Sequence, residues 1–275
     1  MLTKVAHLPL RSVRYLEAGS GSPVLFIHAF PLSADQWLPQ LARVPPGWRF
    51  VAADLRGFRG HGPAFADLGL DGLTIDRYAD DLVELMSHLE IDRAVVVGIS
   101  MGGYVAFALV RRAAARVAGL VLANTRSAAD SDEGRAKRDK LIETARTEGI
   151  AAVSAQMLPV LLGETTRREQ PDLVEAVDRA IQRNTVDAVV AAATALKTRP
   201  DSTGMLPALQ MPALVVHGAE DTIVPAAEAE AMAAAIPGAR LAVLPRTGHL
   251  SNLEAPLAFN HEIDRFLREL GAARS

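Results

Sequence analysis

Ser100 lies at the centre of the pentapeptide Gly98-Ile99-Ser100-Met101-Gly102, which follows an apolar run and precedes a stretch with helical spacing. A serine between two glycines at a strand-to-helix junction is typical of a nucleophile elbow. The turn strains the backbone of the serine, and side chains at the glycine positions would crowd the strand and the helix. It also directs the amino end of the following helix toward the hydroxyl, where backbone N–H groups stabilise developing negative charge. The motif therefore predicts acyl-transfer chemistry.

A serine hydroxyl is a poor nucleophile unless a base removes its proton. His249 stands in the loop after the last predicted strand, and Asp221 follows the strand before that one. Because loops at the carboxyl ends of parallel strands gather at one edge of a sheet, we expect these side chains to meet Ser100 there. Glu220 is the alternative acid, and Asn124 occupies the position after an earlier strand where an acid is sometimes found. We predict that His249 is the base and that Asp221 orients it.

The elements that must position these residues alternate along the chain. Short continuous apolar runs predict strands that are covered on both faces; these runs are 24–27, 50–53, 95–97, 120–123, 214–216 and 241–244. Segments with apolar residues at every third or fourth position predict helices at 75–89, 103–111, 226–236 and 257–270. Extended segments at 8–10 and 14–18 predict an opening hairpin. The alternation indicates an α/β fold with a mostly parallel central sheet flanked by helices.

Residues 127–199 interrupt this alternation, because they contain no convincing strand pattern and are rich in Ala, Arg, Glu and Asp. We predict a helical insertion with helices at 132–148, 150–162, 171–183 and 186–197. The predicted organisation is therefore a core formed by residues 1–126 and 200–275, with a helical segment at 127–199 between its two parts.

The composition limits the classes of function. The 275 residues are 49% hydrophobic and carry a formal net charge of −3, so nucleic acid and anionic membranes are not expected partners. The absence of cysteine excludes thiol catalysis, disulfides and thiolate metal sites. No phosphate-binding glycine loop or metal-ligand spacing occurs, so we expect neither a cofactor nor a metal. No signal-peptide or membrane-spanning pattern is found, which predicts a cytoplasmic protein.

With these residues in place, the chain resembles the α/β-hydrolase fold family over nearly its whole length. The resemblance implies that Ser100 attacks a carbonyl carbon, that His249 relays the proton, and that Asp221 fixes the histidine tautomer. The segment 28–31, His-Ala-Phe-Pro, is similar to the family's His-Gly-x-Pro element. This similarity implies that the backbone N–H groups of Phe30 and Met101 form the oxyanion hole. An alanine replaces the usual glycine in this element, and it would be strained if the loop required a positive φ there.

The resemblance also implies that the helical segment covers the catalytic pocket. We take His28 and Trp37 as candidate pocket residues, with a structural role for His28 as the alternative. Phe30, Tyr104 and Met157 are further candidates for an acyl pocket.

Three features other than Ser100, His249 and Asp221 lead to separate predictions. Arg56 is expected to form a structural salt bridge, and Glu254 to cap the final helix. Residues 54–62 resemble the family's Asp-x-Arg-Gly-x-Gly stretch, but Arg59 stands where its second glycine is expected, which predicts a reshaped loop.

An aspartate at the elbow would indicate haloalkane or epoxide chemistry, whereas serine favours acyl transfer to water. The sequence therefore predicts a serine hydrolase for carboxylic esters with small to medium acyl or alcohol groups. The alternatives are a lactonase such as an enol-lactone hydrolase, a cofactor-free perhydrolase, and a ligand-binding receptor of the same fold. The expected partner is a small-molecule ester or lactone, and the expected state is a monomer or small homo-oligomer.

Overall fold

The computed structural model describes residues 1–9, 11–58 and 69–272, apart from the side chain of residue 272. Within these ranges, eight strands form one sheet. They are β1 (Leu2–Leu8), β2 (Arg11–Gly19), β3 (Ser22–Ile27), β4 (Trp48–Ala53), β5 (Ala94–Ile99), β6 (Val117–Ala123), β7 (Ala213–Gly218) and β8 (Arg240–Leu244).

The strand order across the sheet is β1-β2-β4-β3-β5-β6-β7-β8. The β1–β2 and β2–β4 pairs are antiparallel, and the other neighbours are parallel. Every residue of β5 and β6 is buried, which explains why these strands are continuous apolar runs in the sequence. The parallel strands β5, β7 and β8 each lead into a loop at the same edge, and Ser100, Asp221 and His249 lie in these loops.

Helices separate the parallel strands. In the described ranges the α-helices are α1 (Leu38–Leu41), α2 (Ile75–His88), α3 (Met101–Ala113), α4 (Asp132–Glu148), α5 (Ile150–Leu161), α6 (Glu164–Glu169), α7 (Pro171–Gln182), α8 (Val186–Lys197), α9 (Ala226–Ala235), α10 (Ser251–Glu254) and α11 (Pro256–Ala272). The predicted α/β class with a mostly parallel sheet is confirmed. The chain between β6 and β7 is helical, with α4 to α8 in succession.

Several details differ from the sequence prediction, among them the short helices α1 and α10, which were not predicted. The opening hairpin begins earlier than expected, because β1 is Leu2–Leu8 and pairs in register with β2. The short helix α6 was not predicted, since its sequence Glu-Thr-Thr-Arg-Arg-Glu has no apolar periodicity.

None of the helices in the described part of the chain is both long enough and apolar enough to cross a lipid bilayer.

Candidate active site

Ser100 occupies the tight turn between β5 and α3, with φ 53° and ψ −116°. This left-handed conformation is unusual for a residue with a side chain. A Cβ atom added to Gly98 would lie 2.2 Å from the Gly102 carbonyl oxygen, and one added to Gly102 would lie 2.1 Å from the Ile27 carbonyl oxygen. Since both atoms belong to the backbone, neither contact can be relieved by a rotamer change. The glycines therefore permit the turn that presents the serine hydroxyl.

The structure brings Ser100, His249 and Asp221 into one hydrogen-bonded chain. The Ser100 hydroxyl lies 2.8 Å from His249 Nε2, and His249 Nδ1 lies 2.8 Å from Asp221 Oδ2. The side chains of His249 and Asp221 are only 1% and 0% exposed, so water does not compete for this bond. A carboxylate at Nδ1 keeps the proton on that nitrogen and leaves Nε2 free to accept the serine proton.

Hydrogen bonds hold both carboxylate oxygens of Asp221: Oδ2 faces His249 and Asn124, and Oδ1 faces the backbone. Oδ1 accepts hydrogen bonds from the backbone N–H groups of Ile223 and Val224, at 2.8 and 3.0 Å. Burial alone would raise the pKa of Asp221, but the charge of His249 and the hydrogen bonds from His249, Asn124 and Val224 outweigh burial and lower this pKa to about 2. Asp221 is therefore ionised at neutral pH and is suited to stabilise an imidazolium at His249.

The alternative acid Glu220 lies elsewhere. Its carboxylate accepts a hydrogen bond from the Thr165 backbone N–H at 2.8 Å and another from the Thr165 hydroxyl. Asn124, which occupies the other possible acid position, supports Asp221 instead. Its Nδ2 donates to Asp221 Oδ2 at 2.9 Å and to the Gly248 carbonyl oxygen at 3.1 Å. Sequence reasoning considered position 124 only as a site for an acid and did not predict this supporting role.

The candidate oxyanion donors lie next to the hydrogen-bonded residues Ser100, His249 and Asp221. Phe30 follows β3, and Met101 is the first residue of α3. Within residues 1–9, 11–58 and 69–272, the structure assigns no backbone acceptor to either N–H group. Unpaired backbone donors beside a nucleophile can bind a carbonyl oxygen that becomes negative. The Ala29 backbone is not in the positive-φ region, so the methyl group at this position causes no strain.

Gln36 holds the loop that carries Phe30. Its Oε1 accepts a hydrogen bond from the Ala29 N–H at 2.8 Å, and its Nε2 donates to Asn252 Oδ1 at 2.9 Å. Asn252 lies in α10, directly after the His249 loop. The amide pair thus joins the loop after β3 to the loop after β8. No spacing in the sequence indicated this link, because the two residues are 216 positions apart.

His28 and Trp37, the candidate pocket residues, are both buried in the interior. His28 Nδ1 donates to the Ala29 carbonyl oxygen at 2.9 Å, and Nε2 accepts from the Leu55 N–H at 3.0 Å. The Trp37 ring packs against the rings of Phe26 and Phe259, with centroids 4.9 and 6.0 Å away. Neither side chain is among those that line the cavity beside Ser100.

Because His28 is buried, we expect the free energy of unfolding to depend on pH. Burial lowers the pKa of His28 from 6.5 to about 4, against a smaller opposing effect of its hydrogen bond to Ala29. Between these values the unfolded chain binds a proton that the folded chain does not, so acidification destabilises the fold. The difference corresponds to about 3 kcal/mol. We expect the free energy of unfolding of the wild type to fall by about this much more than that of His28→Asn between pH 7 and pH 4.

Chemical denaturation at several pH values measures this effect. His261→Asn is the matched control, because His261 is exposed on α11. The control is expected to keep the pH dependence of the wild type. Parallel curves for wild type and His28→Asn would contradict the prediction.

A small cavity of about 30 Å³ lies beside Ser100 and His249. This volume can hold a water molecule, and an ester would fit only if the lining side chains rearranged. The other lining residues are Phe30, Tyr104, Arg138, Met157, Leu161, Leu196 and Ile223. Four of them, Arg138, Met157, Leu161 and Leu196, come from the helical segment between β6 and β7. A larger cavity of about 330 Å³ lies between α7 and the loop after β3. Ser100, His249 and Asp221 do not line this cavity.

The sequence predicted that Glu254 caps the final helix. Its carboxylate instead accepts hydrogen bonds from the backbone on both sides of His249. Its Oε2 accepts from the Gly248 N–H at 3.0 Å and its Oε1 from the Leu250 N–H at 3.0 Å. Oε2 also accepts from the Gly163 N–H, at 2.8 Å, in the helical segment. Gly163 and Gly248 are in direct backbone contact, since a Cβ atom added to Gly248 would lie 2.1 Å from the Gly163 nitrogen. The correction has a physical reason: a buried carboxylate needs donors, and the N–H groups of Gly163, Gly248 and Leu250 supply them.

We expect Glu254→Gln to destabilise the protein by about 2 kcal/mol, because the glutamine amide would place N–H donors against backbone donors at a buried site. Thermal and urea denaturation measure this loss. Glu269→Gln is the matched control, since Glu269 is exposed on α11 and pairs with Arg265 one helical turn away, a contact that contributes little. Equal stability of the two variants would rule out this role of Glu254.

Arg56 forms a two-pronged salt bridge with Asp81, in which Nε and Nη2 donate at 2.8 and 2.7 Å. This contact agrees with the predicted structural role. The predicted reshaping of the loop at 54–62 falls mainly on residues 59–62, which lie outside the described residues.

The chain is similar to known proteins both in sequence and in fold. The model of the alpha/beta hydrolase fold family matches residues 22–256. A thermophilic esterase from Thermogutta terrifontis superposes with a TM-score of 0.90 at 36% identity, over 98% of this chain and 99% of the esterase. The enol-lactonase from Burkholderia xenovorans LB400 superposes with a TM-score of 0.86 at 28% identity, over 96% of this chain and 100% of the lactonase.

A non-heme haloperoxidase from Rhodococcus erythropolis is 32% identical over 248 residues, which are 86% of this chain and 88% of that protein. These relatives share the fold and differ in the activity for which they are named. The family match covers most of the chain and confirms the resemblance drawn from the sequence. The chain therefore belongs to the alpha/beta hydrolase fold family.

Proposed function

We propose that the protein is a carboxylic ester hydrolase in which Ser100 is the nucleophile, His249 the general base and Asp221 its orienting acid. The observation that carries the proposal is the hydrogen-bonded chain of these three side chains, with 2.8 Å at each link. The strained turn at Ser100 supports it, as do the N–H groups of Phe30 and Met101, which have no backbone acceptor among the described residues.

The proposed reaction follows from these positions. Ser100 Oγ attacks the carbonyl carbon of the ester while His249 Nε2 takes its proton, and the carbonyl oxygen becomes an oxyanion bound by the Phe30 and Met101 N–H groups. The tetrahedral intermediate collapses, the bond to the alcohol oxygen breaks, and His249 returns the proton to that oxygen. A water molecule then gives a proton to His249 and attacks the acyl-enzyme, which releases the carboxylic acid and restores the Ser100 hydroxyl.

Lactone hydrolysis is the second candidate function. A lactone is a cyclic ester, and the same groups would open its ring by the same steps. The 28% identical enol-lactonase supports this candidate. We propose that the helical segment between β6 and β7 decides between open-chain and cyclic esters, because it supplies four residues of the cavity lining.

A fluorophosphonate probe tests the proposal, since it forms a covalent bond only with an activated nucleophile and releases fluoride. We expect peptide mass spectrometry to locate the adduct on Ser100 in the native protein and to find no adduct in heat-denatured protein. Aryl esters of short, medium and long acyl chains, together with lactones, are then assayed for turnover. Short or medium esters should be hydrolysed fastest. Faster opening of lactones would favour the second candidate function. The absence of both labelling and turnover would favour a ligand receptor.

A further inference from the structure

Arg138 is the one permanently charged residue among those that line the cavity beside Ser100 and His249 in the described part of the chain. It projects from α4 and shares this cavity with five apolar side chains. These are Phe30, Met157, Leu161, Leu196 and Ile223. A charged group beside apolar surface is costly unless a partner of opposite charge is present. The partners of Arg138 therefore indicate what this group can bind.

Within the protein, Arg138 shares its acidic partner with a second arginine. Arg138 Nε donates to Asp130 Oδ2 at 3.2 Å, and Arg199 Nη1 lies 2.7 Å from Asp130 Oδ1. Arg199 is buried and its guanidinium carbon lies 4.1 Å from the centre of the Tyr104 ring, which also lines the cavity. One carboxylate thus faces two guanidinium groups. The cluster of Arg138, Asp130 and Arg199 carries a net positive charge.

The positive charge of this cluster persists at neutral pH. Burial acts to raise the pKa of Asp130, but the charges of Arg138 and Arg199 outweigh it and hold this pKa below its ordinary value. Asp130 is therefore ionised, and because the charge of Arg199 also acts on Asp201, Asp130 is the acidic partner that Arg138 has within this cluster.

The outer end of the Arg138 guanidinium has no partner among the residues that the structure describes. Among the residues that the structure describes, Nη1 and Nη2 of Arg138 have no hydrogen-bond acceptor, and only Nε is paired. The side chain is 21% exposed, so this end is not sealed inside the protein. Two parallel N–H donors on a planar guanidinium match the two oxygens of a carboxylate.

We propose that Arg138 binds a free carboxylate on the substrate, so that the preferred substrates are monoesters of dicarboxylic acids or lactones that carry a carboxylate. This inference rests on the proposed function of Ser100. It adds a determinant of specificity, because a substrate carboxylate gives the donors of Arg138 a charged acceptor, whereas a neutral ester of equal length leaves them to water.

The test compares monomethyl adipate with methyl hexanoate, which differ only in a terminal carboxylate or methyl group. We expect wild-type kcat/KM to be at least about tenfold higher for monomethyl adipate, mainly through a lower KM. Added salt should reduce this ratio. Adipate should also inhibit hydrolysis of a neutral ester at about tenfold lower concentration than adipamide, its neutral diamide, does.

Arg138→Gln is expected to bring the ratio of the two kcat/KM values close to one and to abolish the advantage of adipate as an inhibitor. Arg138→Lys retains the charge without the planar pair of donors and should give an intermediate ratio. Arg135→Gln is the matched control, because Arg135 lies on the same helix, is exposed and pairs with Asp132 three residues away. It should keep both the wild-type activity and the ratio.

The outcomes separate this inference from the proposed function. A wild type that hydrolyses methyl hexanoate and is labelled at Ser100, yet shows no preference for monomethyl adipate, overturns only the carboxylate site. An equal loss of both activities in Arg138→Gln shows a structural role and also overturns it. If Arg138→Gln does not fold, the ratio in Arg138→Lys and the inhibition of the wild type decide. Absence of both labelling and turnover overturns the proposed function itself.

Discussion

Replacing Ser100 with alanine is expected to lower kcat for ester hydrolysis about 10⁶-fold, because the acyl-enzyme can no longer form. The variant should fold normally, since the serine hydroxyl donates only to His249 and no backbone contact depends on it. The φ of 53° at this position is equally costly for serine and alanine. A residual rate above that of water alone should remain, because the N–H groups of Phe30 and Met101 still bind the carbonyl oxygen.

Steady-state kinetics on an aryl ester, with fluorophosphonate labelling in parallel, measure this loss. Ser87→Ala on α2 is the matched control, since Ser87 is exposed and outside the cavity. It should keep the wild-type rate. Full activity of Ser100→Ala would show that another residue is the nucleophile.

Replacing Asp221 with asparagine is expected to lower kcat about 10⁴-fold through the histidine tautomer. The Ile223 and Val224 N–H groups both point at Oδ1, so the remaining oxygen of the amide stays with them. The new NH₂ group then faces His249 Nδ1, where it donates and moves the ring proton to Nε2. A His249 Nε2 that already carries a proton cannot accept the hydroxyl proton of Ser100.

Asn124 strengthens this effect. Its Nδ2 already donates toward the Oδ2 position of Asp221, and its own orientation is fixed by the Gly248 carbonyl oxygen and the Ser251 hydroxyl. Two amide NH₂ groups would therefore face each other in Asp221→Asn. Glu220→Gln is the control, because Glu220 bonds Thr165 instead of His249. It should keep activity within about tenfold, and a loss equal to that of Asp221→Asn would reassign the acid.

The elements of the fold were predictable where one signal dominated. The strands β5 and β6 are buried along their whole length, so their apolar runs stand out in the sequence. The helix α4 matches its prediction because a serine N-cap precedes it and a glycine ends it. The helix α6 was missed since contacts outside the helix hold it, among them the bonds of Thr165 to Glu220.

The sequence predicted which three residues meet at the candidate site, but not the residues that support them. Ser100 and His249 lie in sequence patterns that the chemistry itself imposes, and chain order then points to Asp221. The roles of Asn124, Gln36 and Glu254 depend on contacts between segments that are far apart in the chain. A buried amide or carboxylate has no sequence signature, because any donor or acceptor brought near by the fold satisfies it.

The backbone contact between Gly163 and Gly248 limits how this protein can be recombined with its relatives. A chimera that imports a foreign helical segment at 127–199 must bring a residue without a side chain to position 163, and it must present an N–H group to Glu254. Without both, the junction would push against the loop that holds His249. The helical segment and the loop that holds His249 are therefore constrained together, and grafts that keep both Gly163 and Gly248 should be the ones that fold.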